Sequence, residues 1–223
     1  MNKYVIHFSK EGYIKYTSHL DLLRLFKRAF KKSGIELCYS KGFNPHPKMG
    51  FAQPLSLGYT SRAEFLEFET KQSWNTEELR QRLESEMPAG VEIFSCAPFT
   101  AKVKSLAAAT TEASYLVIFP VKADQERFQP VLSAYLAQSE IMAEKRQKKT
   151  KKLVSSDIRP KIREIRIAES ENLALEMRLD CGSSSNLSPE QVIASFLQFA
   201  KLDIPRYDIE VERLKLVFDG VDI

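Results

Sequence analysis

Tyr4-Val5-Ile6-His7-Phe8, followed by Ser18-His19-Leu20-Asp21-Leu22-Leu23-Arg24-Leu25-Phe26-Lys27-Arg28-Ala29-Phe30-Lys31-Lys32-Ser33-Gly34, is the stretch that decides the fold. Residues 4–8 alternate as a strand does, and Lys10-Glu11-Gly12 turns the chain into Tyr13-Ile14-Lys15-Tyr16. Ser18 offers a side-chain oxygen to the free amides of a helix N-terminus, and Ser33-Gly34 is a stop signal. Between them Leu22, Leu23, Phe26, Ala29 and Phe30 recur at helical spacing, so an amphipathic helix is predicted to about Lys32.

Working outward, Ile35 to Tyr39 reads as a short strand and Ala63 to Thr70 as another. Thr76 is the expected cap of a second helix through Met87, which Pro88-Ala89-Gly90 ends, and Val91 to Phe94 closes as a strand. The order β-α-β-β-α-β is the ferredoxin-like arrangement. The second half repeats it: a strand over Tyr115 to Val121, then a helix over Ala123 to Gln138 interrupted by Pro130. Strands follow over Ile141 to Lys145, Arg163 to Ile167 and Leu173 to Leu179. A helix capped by Ser188 with Pro189 in its first turn runs to about Lys201, and Tyr207 to Phe218 is the last strand. Ala101 to Ser114, rich in Ala, Thr and Ser, separates the halves. The expected fold class is α+β, with two tandem ferredoxin-like units over 1–103 and 112–223.

Composition narrows the function classes. A net charge of +4 permits an anionic partner without requiring one. The three cysteines are far apart and odd in number, which excludes a disulfide framework and points to a reduced, cytoplasmic setting. The N-terminus passes directly into a strand pattern without the apolar run of a signal peptide. Nothing approaches the roughly 20 apolar residues needed to cross a bilayer, so no membrane partner is expected.

Positive charge is organised in two places. Arg24, Lys27, Arg28, Lys31 and Lys32 share an arc of roughly 140° on the first helix, opposite its apolar face. No acid follows Asp21 within that helix, so the stripe suits phosphates. In Lys145-Arg146-Gln147-Lys148-Lys149-Thr150-Lys151-Lys152 every residue but Gln147 and Thr150 is cationic. It reads as a hairpin tip or arm, with Lys148, Lys149, Lys151 and Lys152 available to a nucleic-acid backbone. The next residues, Ser155-Ser156-Asp157-Ile158-Arg159-Pro160, would anchor it, an Asp157–Arg159 pair being one means.

Tyr39-Ser40-Lys41-Gly42-Phe43-Asn44-Pro45-His46-Pro47-Lys48 is a shaped loop, punctuated by Gly and Pro. Gly42, Phe43, Pro45 and Pro47 are its expected structural residues; Lys41, Asn44, His46 and Lys48 are its expected contacts. The first sheet lacks the aromatic signature of an RNA-recognition motif, since Phe65 shares a strand face with Glu67 and Glu69. Loop and helix are therefore the expected contact points for RNA.

Catalytic patterns are sparse. The three histidines form no metal-ligand spacing, and no Walker loop, dinucleotide fingerprint or iron–sulfur cysteine cluster is present, so no metal or cofactor is assigned. His7 reads as structural. His19, at a helix N-terminus that disfavours its charged form, and His46 are the candidates for acid–base cleavage of RNA through the 2′-hydroxyl.

Thr17-Ser18-His19-Leu20-Asp21-Leu22-Leu23-Arg24, the Tyr39–Pro47 loop with its Gly42-Phe43-Asn44-Pro45-His46-Pro47 core, and Pro54-Leu55-Ser56-Leu57-Gly58 together resemble the DUF2344 family. Its members are also called radical-SAM-associated or radical-SAM-linked proteins. The resemblance implies a domain of unknown function, free-standing or joined to a cobalamin-binding radical SAM protein. It also implies genes near those for RNA processing and ribosomal proteins. Lys41 stands where many members have Gln. This chain carries the linked domain without the radical SAM apparatus. The resulting expectation is an RNA-binding or substrate-presenting module that acts with a separate radical SAM enzyme. The alternatives are a metal-independent RNA endonuclease using His46 and His19, and a protein-only adaptor docking on the radical SAM enzyme.

Overall fold

The computed structural model describes residues 2–146, 152–221 and 223. The chain forms two compact units, Met1–Thr110 with Arg213–Ile223, and Thr111–Glu212. Residues 213–223, which the sequence reading kept within a continuous second half, cluster with the first.

In the first unit β1 (Asn2–Lys10), α1 (His19–Lys32), β2 (Met49–Phe51), β3 (Thr60–Thr70), α2 (Thr76–Glu84) and β4 (Ile93–Pro98) follow in order, with a short α3 (Leu106–Ala109) after them. β1 lies antiparallel between β3 and β4, with Tyr4 opposite both Phe68 and Pro98. β2 lies antiparallel on β3, Phe51 opposite Leu66. α1 starts where Ser18 Oγ accepts from the Asp21 amide at 3.2 Å and donates to the Asp21 carboxylate at 2.7 Å. Its buried face, Leu22, Phe26, Ala29 and Phe30, packs in one core with Tyr4, Ile6, Phe8, Leu66 and Phe68. Phe8 and Phe26 meet edge-on at 4.9 Å. Truncating Phe26 to Ala would cost about 3–5 kcal/mol.

Three local expectations are corrected. Ile35–Tyr39 is not a strand: Leu37 and Tyr39 make only isolated bridges, to Thr70 and Pro47. The edge of β3 is divided, because the Glu69 carbonyl accepts from Cys38 N at 2.8 Å while the Glu69 amide donates to Lys48 O at 3.0 Å. Met49–Phe51 then takes the ladder. α2 is capped by Asn75 rather than Thr76, its Oδ1 accepting from the amides of Glu77 and Glu78. α2 ends at Glu84, three residues before the expected Met87, and Gly90 beyond it has a different role. Its φ is +93° and a Cβ there would lie 2.5 Å from the Glu11 carbonyl oxygen, so the two turns cross where only glycine fits.

The second unit contains β5 (Thr110–Lys122), α4 (Gln125–Leu136), β6 (Met142–Arg146), β7 (Leu153–Asp157), β8 (Ile162–Ala168), β9 (Asn172–Asp180), α5 (Pro189–Ala200) and the start of β10 (Glu210–Phe218). β9 is antiparallel to both β5 and β8, Met177 opposite Tyr115 and Ile165. β6 and β7 form a separate antiparallel pair. Pro130 does not interrupt α4. Pro130 and Glu126 are both exposed, so the carbonyl that loses its amide partner faces water rather than core. Tyr135 of α4 packs edge-on to Phe196 of α5 at 5.4 Å, and its hydroxyl lies 2.7 Å from Ser195 Oγ. The fold is mixed α+β, and no described helix is long and apolar enough to cross a membrane.

Candidate functional site

The loop after Tyr39 is held at its neck and open at its tip. Ser40 N donates to His46 O at 2.8 Å, His46 N donates to Ser40 Oγ at 3.0 Å, and Lys48 N donates to Cys38 O at 2.8 Å. Lys41, Gly42, Phe43, Asn44, Pro45 and His46 are all exposed. Gly42 has φ +128°, a conformation that side chains rarely adopt. Phe43, one of the expected structural residues of the loop, has its ring fully exposed.

On α1, Arg24, Lys27, Arg28 and Lys31 are exposed. Arg24 is held by Asp21 at 2.7 Å, and Lys32 by Glu86 at 2.8 Å. The hydroxyl of Ser18, and then Arg24, keep the Asp21 carboxyl below its ordinary pKa. Among the described residues Lys27, Arg28 and Lys31 have no carboxylate within ion-pair distance. Lys27 and Lys31 edge a groove of about 460 Å³ whose floor is Phe30, Ile35 and Leu37 and whose far lip is Tyr39. The helix stripe and the root of the loop thus meet in one place. Lys48 does not join them. Its ammonium sits 2.7 Å from Glu69, which raises its pKa, and it lines a different cavity with Lys3 and Lys104.

The Lys-rich tract begins at Lys145 and Arg146 within β6 and ends just before β7, and the pairing of these strands runs from Met142–Asp157 to Arg146–Leu153. Lys148, Lys149 and Lys151 lie outside the described residues; Lys152 is exposed. The base of this hairpin is anchored by backbone. Asp157 Oδ1 accepts from the amides of Ile141 and Arg159, both at 2.9 Å, while Arg159 Nε donates to Leu136 O at 3.1 Å. The proposed charge pair between Asp157 and Arg159 is replaced by these caps.

A buried charge cluster escaped the sequence reading. Lys10 and Glu64 are each 2% exposed and Arg213 is 1% exposed. Arg213 grips the Glu64 carboxylate through Nη2 and through Nε at 3.1 Å, and Nη2 also donates to Gln53 O at 2.8 Å. Lys10 Nζ donates to Thr17 O at 3.0 Å, immediately before the Ser18 cap. Burial lowers the Lys10 pKa; Glu64 opposes that shift and Arg213 adds to it. Burial likewise lowers the pKa of His19, with Glu64 opposing and Lys10 adding. The signal was present: Lys10 continues the inward row Tyr4, Ile6, Phe8, and Glu64 the inward row of Leu66 and Phe68. Alternation continued along both strands places them inside, whereas Lys10 is assigned from sequence to the Lys10-Glu11-Gly12 turn and Glu64 is given no role.

The two candidate histidines have different surroundings. His19 packs edge-on to Phe51 at 5.3 Å, and His46 sits in the exposed loop. No contact between them is found among the described residues. His7 is stacked on Phe65 at 4.6 Å and its Nε2 lies 2.7 Å from Arg62 O, as a structural histidine should be. Also among the described residues, no group of His, Cys, Asp and Glu is arranged to hold a metal ion.

The Ser18–Asp21 motif and the closed loop lie in one unit, and a family model matches residues 3–189, which takes in most of that unit, without its Arg213–Ile223 segment, and much of the second unit. The chain belongs to the DUF2344 family. That family is described as uncharacterised protein conserved in bacteria. No curated protein matches this DUF2344 chain. Among solved structures it is similar to a chain of a Cbf5-Nop10-Gar1 complex, with 11% identity and a TM-score of 0.49 over 96% of this chain and 48% of that one. It is also similar to a chain of an H/ACA RNP bound to a substrate RNA containing 2'-deoxyuridine, with 11% identity and a TM-score of 0.45 over 97% and 47%. The DUF2344 chain spans about half the length of these relatives.

Proposed function

We propose that this chain is a cytoplasmic RNA-binding or substrate-presenting module that acts with a separate radical SAM enzyme. The observation that carries the RNA reading is the trio Lys27, Arg28 and Lys31, exposed on one helix face with no carboxylate in ion-pair contact among the described residues, Asp21 acting on Arg28 only at longer range. Charges left uncompensated in the free protein gain most from phosphate, through release of its condensed counterions. The exposed Phe43, with Lys41, Asn44 and His46 on the same closed loop, supplies contacts that bare charge does not. The radical SAM partner follows from the family resemblance. We read the scaffold as tandem ferredoxin-like units, the second having the order β5, α4, β8, β9, α5, β10 with the β6–β7 hairpin inserted.

Binding of mixed cellular RNA at two salt concentrations tests the reading. If the trio meets three phosphates, log affinity falls with log salt with a slope of about −2. Replacing Lys27, Arg28 and Lys31 by Glu should remove most of that slope. Absent or salt-indifferent binding overturns the proposal. Metal-independent cleavage in the same incubation, abolished by His46→Ala, would instead identify the nuclease. Capture of the radical SAM enzyme after nuclease treatment, with no RNA bound, would identify the adaptor.

A further inference from the structure

The groove beside α1 differs in kind from a flat basic patch. Its floor, Phe30, Ile35 and Leu37, is buried and apolar, and its lip, Tyr39, is an aromatic ring 47% exposed. Two cations without carboxylate partners, Lys27 and Lys31, stand on the helix side. On the other side Lys71 is neutralised by Glu36 at 2.9 Å. Attraction for an anion is therefore concentrated on one wall, next to a flat apolar surface. A volume of about 460 Å³ suits a single small planar group with its attached charge.

We propose that this groove takes one unpaired nucleotide of single-stranded RNA, its base against Tyr39 and the apolar floor and its phosphate beside Lys27 and Lys31. This rests on the RNA-binding proposal and adds strandedness to it. A base inside a duplex is stacked on both faces and cannot enter a groove without being extruded. An aromatic face accepts any base, so the site selects unpaired RNA over duplex without selecting sequence. An acidic peptide shares the charge but gains nothing from the ring.

The test uses the full chain with a short single-stranded RNA carrying 2-aminopurine and with the same sequence as a duplex. Tyr39→Ala should weaken single-strand binding by about 5- to 100-fold, with duplex binding unchanged and Tyr39→Phe close to the parent protein. The 2-aminopurine fluorescence should be quenched by the parent protein and not by Tyr39→Ala. Unchanged single-strand binding in Tyr39→Ala, equal losses on both RNAs, or equally effective competition by polyglutamate would each overturn the nucleotide site. If salt-dependent RNA binding persists while Tyr39→Ala has no effect, only the groove assignment falls. If the parent protein binds no RNA, both fall.

Discussion

Lys27, Arg28 and Lys31 on α1, and Lys10, Glu64 and Arg213 near its N-terminus, are the same kinds of side chain under opposite physical rules. The first three are exposed and lack carboxylate partners among the described residues. Water solvates them, so they cost the fold little and contribute little to it. The second three have lost nearly all their water, and each ion removed from solvent costs several kcal/mol unless its partners replace it. Arg213 and Glu64 replace it for each other, while Lys10 leans on one carbonyl and on the Glu64 charge. The exposed trio is left without an ion-pair contact among the described residues, whereas the buried charges are committed to one another.

Substitutions can break that contrast. The largest effect should come from Glu64→Ala, which strands Arg213 and Lys10 in the interior and should lower stability by about 3–5 kcal/mol in urea unfolding. Glu64→Leu combined with Arg213→Met should recover part of the loss, because the stranded guanidinium is gone while Lys10 stays buried without Glu64. Equal losses in the single and double variants would mean that the pair is not what holds this region. A smaller effect concerns His19. Its folded pKa lies below the unfolded value near 6.5, so its stability contribution is complete above that pH. It is lost as pH falls through the folded value, with a slope of at most about 1.4 kcal/mol per pH unit for one proton. Glu64 moderates this loss and Lys10 sharpens it. Stability–pH curves for the parent and His19→Gln should diverge only on the acidic side. The smallest effect belongs to the exposed set: Lys27→Ala, Arg28→Ala and Lys31→Ala should each move stability by no more than about 0.5 kcal/mol. A larger drop would show that these side chains pack as well as carry charge.

The parts of the fold legible in sequence were those whose side chains sort cleanly into two faces. β1, α1, β3, β9 and α5 each carry an apolar row at strand or helix spacing, which found them within a few residues, although β1 and β9 also bury Val5 and Ala174 on the opposite face. Met49-Gly50-Phe51 escaped because three residues with a central glycine carry no period, and its pairing with β3 is decided by tertiary register. Leu153–Asp157 escaped because its first four residues are exposed, so no buried face marks it as a strand. At the site, the loop and the helix stripe were legible because Pro, Gly and like charges are local signals. The joint groove was not, since it needs Ile35 and Leu37 packed beside Phe30. Nor was the Arg213–Glu64 pair, whose members stand 149 residues apart.

That separation matters in time as well as in space. The first unit is discontinuous, built from Met1–Thr110 and Arg213–Ile223. During synthesis Glu64 emerges 149 residues before the arginine that neutralises it, an interval on the order of 10 s at bacterial elongation rates. Until Arg213 is made, closing the core over Glu64 would bury a carboxylate beside Lys10 alone. Arg213 can therefore take its place against Glu64 only after the whole of the second unit, Thr111–Glu212, has left the peptidyl-transferase centre.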